Sequence, residues 1–276
     1  MAQPKSIAVL GVGKLGEALV SGLLKQGRLH AKDIRGADPH PETSVRVKQS
    51  LGIEVLASNT SALKGADLVI LAVKPQNMDQ VLREIAPALD PHQVVVSVAT
   101  GATTSFIQAR LGEAQPVVRA MPNTPALINE GMTGLCAGLY AKPKHIAMAE
   151  SVFACVGRTV QVDEGLMDAV TALSASGPAF LYVVIESLAE AGVKLGIPRH
   201  VSTLLAAQTM LGAARMTLET GAHPALLKDM VTTPAGCTVD GLMELEEGKL
   251  RVTLIKAVVK AAERARCLVP PSAGGD

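Results

Sequence analysis

Ser6–Gly27, SIAVLGVGKLGEALVSGLLKQG, decides the fold, because it places a strand, a glycine-rich turn and a helix in direct succession. Ser6–Leu10 is a short apolar run, as expected for a buried strand. Glu17–Gln26 has the apolar periodicity of a helix, and a glycine follows it. The three glycines between the two elements have the spacing G-x-G-x-x-G. In this setting the spacing indicates a dinucleotide-binding βαβ unit.

Each glycine of this fingerprint has a physical task. Gly11 allows the tight turn out of the strand, Gly13 lets the backbone approach a pyrophosphate, and Gly16 lets helix and strand pack closely. The helix N-terminus adds free N–H groups and the positive end of its dipole. Cofactor contacts are therefore predicted along the whole turn: Gly11, Val12, Gly13, Lys14, Leu15 and Gly16. The alternative is a glycine-rich turn without a ligand, as in other α/β proteins.

Strand and helix patterns alternate from here to about Asp163. The predicted strands after the first are Asp33–Asp38, Gly52–Ala57, Asp67–Val73, Gln93–Ala99, Pro116–Ala120, Gly131–Ala137 and, at an edge, Arg158–Val162. The later predicted helices are Asn77–Leu89, Thr103–Leu111 and Pro143–Val156. Such alternation predicts an α/β fold with a doubly wound sheet of Rossmann type.

Ligands of doubly wound sheets bind at the carboxyl ends of the strands, so the segments after strands are further cofactor candidates. These candidates are Asn59, Ala72, Val73, Lys74, Pro75, Ala99, Thr100, Gly101, Pro122 and Asn123. Asp38 ends the second strand, 22 residues after Gly16. An acid at that position accepts a hydrogen bond from the ribose 2′-OH and repels a 2′-phosphate, which favours NADH.

Beyond Glu164 the alternation stops, and the chain has only helical patterns. They cover about 165–175, 178–195, 198–219, 223–231, 238–247 and 249–267. Ser176, followed by Gly177 and Pro178, predicts a new helix start with a capping serine and an early proline. We therefore predict a dinucleotide-binding domain of residues 1–164 and an all-helical domain of residues 165–276.

The predicted helix 178–195 is apolar around nearly its whole circumference. Its charged residues Glu186, Glu190 and Lys194 recur at every fourth position and leave one narrow polar line. The remaining helical chain is too small to cover such a helix, so a second subunit is the expected cover. The sequence thus predicts a homodimer formed through the helical domain.

The composition indicates which binding partners and which cellular compartment to expect. The formal net charge of +1 gives no reason to expect nucleic acid, and no uncharged apolar run has the length of a membrane span. Four scattered cysteines form no C-x-x-C pair, which fits a reducing compartment rather than a disulfide framework or a zinc site. The chain enters its first strand at once, without a signal peptide. We expect a cytoplasmic protein without bound metal.

Side chains for strong acid–base or nucleophilic catalysis are missing from recognisable motifs. Small hydroxyl residues and glycines are instead concentrated in Thr171–Pro178 (TALSASGP) and Val231–Gly241 (VTTPAGCTVDG). The second stretch leads into a helix with Thr238 as its predicted cap, and the N–H groups of such a helix start can bind a carboxylate. A capped turn between two helices explains the same pattern equally well.

Pro224–Gly248, PALLKDMVTTPAGCTVDGLMELEEG, closely resembles the signature of the pyrroline-5-carboxylate reductase family. Similar segments, ADLVILAVKPQ at 66–76, VVRAMPNTPA at 117–126, DAVTALSASGPAF at 168–180 and EAGVKLGIPR at 190–199, extend the resemblance over nearly the whole chain. It implies reduction of the cyclic imine 1-pyrroline-5-carboxylate to L-proline by a nicotinamide dinucleotide, the last step of proline biosynthesis. It also implies dimers interlocked through the helical domain, often assembled into larger rings.

The resemblance implies roles for individual residues as well. Thr238 and Lys74 take the catalytic roles, and the loops at 73–75 and 99–101 hold the nicotinamide half of the cofactor. A protonated imine is already electrophilic, so positioning replaces a strong general acid. The substrate-binding residues implied in this way are Glu164, Ser176, Gly236, Cys237 and Thr238.

Three positions depart from the family pattern, and one of them is Cys237, which stands where the family usually has threonine or alanine and is small enough to keep the shape of the pocket. Ala175 and Ala235 stand where the family usually has glycine, and each methyl group costs conformational freedom wherever φ is positive. We expect these substitutions to influence which substrates the protein accepts. The family more often uses NADPH, whereas Asp38 favours NADH, so we predict that both cofactors are used.

Two other functions fit part of the sequence. A β-hydroxyacid dehydrogenase shares the fingerprint and a helical second domain, and it would use a lysine on a long helix, here Lys194. A dinucleotide-binding regulator without catalytic activity would retain the glycine fingerprint but would not need the hydroxyl-rich loop.

Overall fold

The computed structural model describes residues 3–112 and 114–268. Within this part of the chain, eight strands form one sheet. They are β1 (Ile7–Leu10), β2 (Ile34–Ala37), β3 (Glu54–Leu56), β4 (Leu68–Leu71), β5 (Val94–Ser97), β6 (Val117–Met121), β7 (Gly131–Ala137) and β8 (Gly157–Gln161). Every predicted strand is present, with its ends shifted by a few residues at most.

The strands follow the order β3-β2-β1-β4-β5-β6-β7-β8 across the sheet, and neighbours are parallel except at one junction. At that junction β6 pairs with β7 in antiparallel register, and Arg119 lies opposite Cys136. The connection 122–130 is too short for a crossover to a parallel strand, which needs about a dozen residues or more. β8 lies at the far edge, as the sequence predicts.

The α-helices of the described residues are α1 (Lys14–Lys25), α2 (Pro41–Leu51), α3 (Asn59–Ala62), α4 (Met78–Ile85), α5 (Thr104–Leu111), α6 (Pro143–Phe153), α7 (Met167–Val170), α8 (Gly177–Lys194), α9 (Arg199–Thr220), α10 (Pro224–Met230), α11 (Cys237–Glu247) and α12 (Leu250–Arg266). α1 begins inside the glycine fingerprint, before the predicted Glu17. α2 has no counterpart among the predicted helices because only Val47 of it is buried, which leaves no apolar stripe.

Helices cover both faces of the sheet, and this arrangement confirms the predicted α/β fold. Ile7 and Val9 of β1 belong to a core that includes residues of α1 and α6. Ala8 and Leu10 of the same strand point the other way, into a core that includes residues of α4 and α5. The central strands β1, β4 and β5 are buried at every residue, which explains their continuous apolar runs.

α8 begins at Gly177, directly after Ser176, which confirms the predicted helix start, although the helical run as a whole extends over Glu164–Lys194. A π-turn over Thr171–Ala175 lies within it, and the Ser176 N–H group donates to the Thr171 carbonyl oxygen at 2.9 Å. Pro178 has no N–H group to donate one turn back, to the Ser174 carbonyl oxygen. The Asn123 side chain donates to that oxygen instead, at 3.2 Å, and the helix continues through the proline.

The described chain divides into two compact units. One comprises residues up to Ser176 with those from Ala261 onward, and the other comprises Gly177–Lys260. The predicted boundary between residues 164 and 165 stays a prediction. In the second unit α8 packs against α9, where the Ser202 hydroxyl donates to the Ala189 carbonyl oxygen at 2.7 Å.

The second unit has few buried residues and a large exposed apolar surface. In α8 and α9 only Ala189, Ser202 and Ala206 are buried. The exposed apolar side chains of these two helices include Leu181, Tyr182, Val183, Leu188, Leu204, Leu205, Leu211, Met216 and Leu218. By length and composition alone, the run Glu164–Lys194 would also be able to cross a membrane.

Candidate active site

The three fingerprint glycines occupy three different environments. Gly11 has φ +91°, and a Cβ atom on it would lie 2.6 Å from the Ala72 carbonyl oxygen. A Cβ atom on Gly16 would overlap the Gly11 carbonyl oxygen and crowd Val9 of β1. Gly13 has no atom within 4 Å of its Cβ position. The first and third glycines therefore serve close packing, and the second leaves the turn open to a ligand.

The first N–H groups of α1 donate to no hydrogen-bond acceptor within the described residues. Gly13 is the N-cap and offers no side-chain cap. The N–H groups of Gly13, Lys14 and Leu15 likewise have no acceptor in this part of the chain. An open turn with free N–H groups at a helix start fits the pyrophosphate of a dinucleotide.

A cleft of about 500 Å³ lies beside this turn and brings together seven of the predicted cofactor residues. Its lining includes the predicted residues Gly11, Gly13, Asp38, Asn59, Ala72, Val73 and Lys74. Asn59 begins α3, and its Nδ2 donates to Glu84 Oε2 at 2.8 Å. Lys74 is exposed and is the N-cap of a 3₁₀ turn that starts at Pro75.

Asp38 is oriented toward the fingerprint. The side chain is buried at 8% exposure, and its Oδ2 accepts the Val12 N–H group at 3.3 Å. Its Oδ1 accepts the His40 N–H group at 3.0 Å. The carboxylate is therefore held at the cleft, and a cofactor ribose would meet a fixed negative charge there.

A second, smaller cleft of about 270 Å³ is lined by Lys14 and Leu15. Thr100, Asn123 and Ala175 also line it. The predicted residues Ala99 and Gly101 flank Thr100 but are buried, and Gly101 has φ +78°. Val12, Gly16 and Pro75 line neither cleft, so any part they have in cofactor binding is through the backbone of their turns.

The hydroxyl-rich loop of the second unit leads into α11, but Thr238 does not cap that helix. The N-cap is Gly236, without a side-chain hydrogen bond, and the helix begins at Cys237. The half-buried Thr238 hydroxyl has no hydrogen-bond partner within the described residues. Ala235 has φ +54°, so the left-handed conformation expected at this position is present. Ala175, by contrast, lies in the right-handed π-turn.

Glu164, predicted beside the substrate, has both carboxylate oxygens engaged. Oε1 accepts the Thr104 N–H group at 2.6 Å, and Oε2 accepts the Thr104 hydroxyl at 2.5 Å. Arg119 Nη1 lies 3.7 Å from Oε1. The sequence reasoning missed both partners, although a charged residue inside the apolar run VVRAM is the signal of a buried, paired arginine. Ser176, the other substrate candidate of this unit, is half-buried at the end of the π-turn.

Among the residues that the structure describes, no group of three or more His, Cys, Asp or Glu side chains is placed to hold a metal ion. The two clefts combine backbone N–H groups and hydroxyls with charged side chains, among them Asp38, Glu84, Lys74 and Lys14. Groups of these kinds are suited to bind and orient a charged organic ligand.

Family models and known relatives agree with this organisation. Residues 164–268 match the pyrroline-5-carboxylate reductase dimerisation family, and residues 6–101 match a family described as NADP oxidoreductase, coenzyme F420-dependent. A pyrroline-5-carboxylate reductase from Methanosarcina acetivorans is 42% identical over 95% of this chain and 97% of its own length. The chain belongs to the pyrroline-5-carboxylate reductase family. This confirms the family membership that the sequence motifs predicted.

Solved structures of the family have the same fold. The pyrroline-5-carboxylate reductase of Coxiella burnetii has a TM-score of 0.91 and 36% identity, over 96% of this chain and 99% of that one. The Plasmodium falciparum enzyme, solved with NADP bound, has a TM-score of 0.85 and 29% identity, over 95% and 97% of the two chains. Members of this family are NAD(P)-dependent oxidoreductases, and the fingerprint clefts of this chain fit that class.

Proposed function

We propose that this protein reduces 1-pyrroline-5-carboxylate to L-proline by hydride transfer from NADPH or NADH. The observation that supports it most is the relationship to pyrroline-5-carboxylate reductases over nearly the whole chain. The open turn at Gly13 and the free N–H groups of α1 provide the place for the cofactor pyrophosphate. The cofactor supplies the hydride when bound.

The chain's own part in the reaction is binding and orientation. Thr238 directs its hydroxyl to the ring nitrogen or the carboxylate of the substrate, and the N–H groups of Cys237 and Thr238 hold the carboxylate, since the Gly236 N–H group donates to the Thr233 carbonyl oxygen at 3.0 Å. The protonated imine carries its own positive charge and accepts hydride at the adjacent carbon without a strong acid. Lys74 and the loop 99–101 orient the nicotinamide half of the cofactor. Glu164 and Ser176 stay predicted neighbours of the substrate.

We infer that both dinucleotides serve as cofactor. The fixed carboxylate of Asp38 favours the free ribose hydroxyls of NADH. The family match to an NADP oxidoreductase, and the NADP in the Plasmodium falciparum structure, favour NADPH. Because these two preferences oppose each other, we expect the enzyme to use both NADPH and NADH.

We further propose domains of residues 1–164 and 165–276, with a homodimer formed through the second. The exposed apolar side chains of α8 and α9 support the dimer, because a partner's helices would remove them from water. A larger ring of such dimers is an extension that sedimentation would also detect. The same cover accounts for the apolar run Glu164–Lys194 without a membrane, and we place the enzyme in the cytoplasm, in proline biosynthesis.

A coupled assay tests the proposed function. Purified protein is mixed with 1-pyrroline-5-carboxylate and either NADPH or NADH, and cofactor oxidation and L-proline are measured together. We expect equal amounts of oxidised cofactor and proline. Oxidation of 3-hydroxy acids with NADP⁺ or NAD⁺, in place of imine reduction, would identify a β-hydroxyacid dehydrogenase. Cofactor binding without turnover of either substrate would identify a regulator.

A further inference from the structure

Arg119 is a fully buried charge in the middle of the sheet. It lies in β6, opposite Ser97 of β5 on one side and Cys136 of β7 on the other. Its side chain is 2% exposed. A guanidinium removed from water is costly unless carboxylates lie beside it, so its surroundings must compensate the charge.

Two carboxylates on one helical run provide that compensation. Glu164 Oε1 lies 3.7 Å from Arg119 Nη1, and Asp168 Oδ1 lies 3.6 Å from Nη2. Arg266 reaches Asp168 from the surface, at 4.0 Å from Oδ2. The Nε and Nη2 atoms of Arg119 have no hydrogen-bond partner. Arg119 therefore acts on these carboxylates mainly through its charge.

Glu164 connects Arg119 to the N-terminus of α5. Its two oxygens accept the N–H group and the hydroxyl of Thr104, the first residue of that helix. A carboxylate at a helix N-terminus is favoured by the free N–H groups and by the helix dipole. Thr104 is buried, so these bonds lie in a region where water competes little.

Thr104 is also the residue at which the loop after β5 ends. This loop, residues 98–103, contains Thr100, which lines the smaller cleft beside Lys14 and Leu15. Gly101 gives the loop a left-handed turn, with φ +78°. Its start is fixed by the Val98 N–H group, which donates to the Leu71 carbonyl oxygen at 3.1 Å. Its other end is fixed through Thr104 and Glu164.

We propose that Arg119 is a positioning residue for the cofactor, which acts through Glu164 and Thr104 to hold the loop 98–103 at the smaller cleft. The identity of the cofactor rests on the proposed function. Without the guanidinium, only the surface residue Arg266, beside Asp168, offsets the two negative charges, and Glu164 leaves the N-terminus of α5. The loop then loses its fixed end, and the bound dinucleotide loses the surface formed by Thr100.

Direct titration of NADPH binding, by calorimetry on the full-length protein, tests this proposal. We expect Arg119→Met, Glu164→Gln and Thr104→Val each to raise the Kd for NADPH about tenfold. Thr104→Ser keeps the hydroxyl and should bind NADPH like the wild type. Arg158→Met removes an exposed arginine of the edge strand β8 and is the matched control, with an unchanged Kd.

The outcomes separate this role from the alternatives. If Arg119→Met does not fold, Glu164→Gln and the two Thr104 variants decide the question. An unchanged Kd for NADPH in Glu164→Gln and Thr104→Val, with only a lower melting temperature, would overturn the proposal and leave Arg119 a purely structural residue. So would a higher KM for the imine at an unchanged Kd for NADPH, which would make Glu164 a direct substrate contact. A wild type that binds NADPH but does not reduce the imine would refute the reductase function alone.

Discussion

The Asp38 carboxylate accepts the N–H group of Val12, across the turn of the glycine fingerprint, at 3.3 Å. The acid at the end of β2 thereby contacts the loop where we predict that the pyrophosphate binds. Its second oxygen accepts the His40 N–H group. The negative charge is thus fixed where the adenosine ribose of a dinucleotide is expected.

This geometry predicts the effect of Asp38 on cofactor choice. Asp38→Ser should raise the ratio of kcat/KM for NADPH to that for NADH roughly tenfold, because the 2′-phosphate no longer meets a negative charge. Asp38→Asn keeps an oxygen for one of the two N–H groups and should shift the ratio in the same direction. Steady-state kinetics with both cofactors measure it. A ratio equal to that of the wild type in both variants would show that Asp38 does not read the ribose.

Thr238 should matter for catalysis and hardly at all for stability. Gly236 is the N-cap of α11, and the Thr238 hydroxyl has no partner to lose. Thr238→Ala should therefore retain its melting temperature and lose ten- to a hundredfold in kcat/KM for the imine, as expected for about 1–3 kcal/mol from a lost substrate hydrogen bond.

Thr238→Ser should retain most of the activity, because it keeps the hydroxyl. The control is Thr203→Ala, which removes the hydroxyl of an exposed threonine in α9 and should leave the activity unchanged. Wild-type kinetics in Thr238→Ala would exclude the α11 loop as the substrate site. The stretch Thr171–Pro178 would then be the next to test.

The dimer prediction rests on side chains that the single chain leaves in water. Val183 of α8 is 61% exposed, so a charge there is tolerated by the isolated chain but not inside an apolar interface. Val183→Glu should shift the protein to a folded monomer or a weakly associating dimer in sedimentation velocity. Glu186→Gln, on the polar line of the same helix, should leave the assembly unchanged. A wild type that sediments as a folded, active monomer would contradict the prediction.

Ala235 should be a site where glycine stabilises the protein. Its φ of +54° is unfavourable for a residue with a Cβ atom, at about 1 kcal/mol. Ala235→Gly should raise the free energy of unfolding by a fraction of that amount, because glycine is also more flexible in the unfolded chain. Ala225→Gly, within α10, should lower it. Equal denaturation midpoints for Ala235→Gly and wild type would argue against the strained conformation.

Cys136 should be inert toward alkylation in the folded protein. Burial, with the charge of Glu164 as a second cause, raises the pKa of its thiol to about 11, although Arg119 opposes the shift. Since only the thiolate reacts, a rise of the thiol pKa from its ordinary value of 9.0 slows alkylation about a hundredfold before access is considered. Mass spectrometry after iodoacetamide treatment should find Cys136 unmodified in native protein and modified in guanidinium. Equal labelling in both states would contradict the buried position.

Local signals were sufficient for most of the sheet. Gly131–Ala137 coincides with β7, and the apolar runs of β4 and β5 were predicted because strands buried on both faces have few polar residues. The glycine fingerprint predicted both the turn and its open side at Gly13.

Features that depend on distant partners were not predictable in this way. The start of α8 after Ser176 was predicted, but the π-turn before it and the Asn123 side chain, which donates to the Ser174 carbonyl oxygen in place of the missing Pro178 N–H group, were not. Glu164 was predicted to lie near the substrate, whereas its observed partners Thr104 and Arg119 come from other elements. The sequence predicted Thr238 as the cap of α11, but the cap is Gly236, two positions earlier. Ala235, the residue before Gly236, has a left-handed backbone conformation.

Hydride transfer itself gives the most direct test of the central claim. The protein is incubated with 1-pyrroline-5-carboxylate and NADPH that carries deuterium at C4 of the nicotinamide, in separate reactions for the two faces of the ring. We expect one of the two labelled cofactors to yield L-proline with one deuterium at C5, and the other to yield unlabelled proline. No proline from either cofactor, or proline without label from both, would contradict the account.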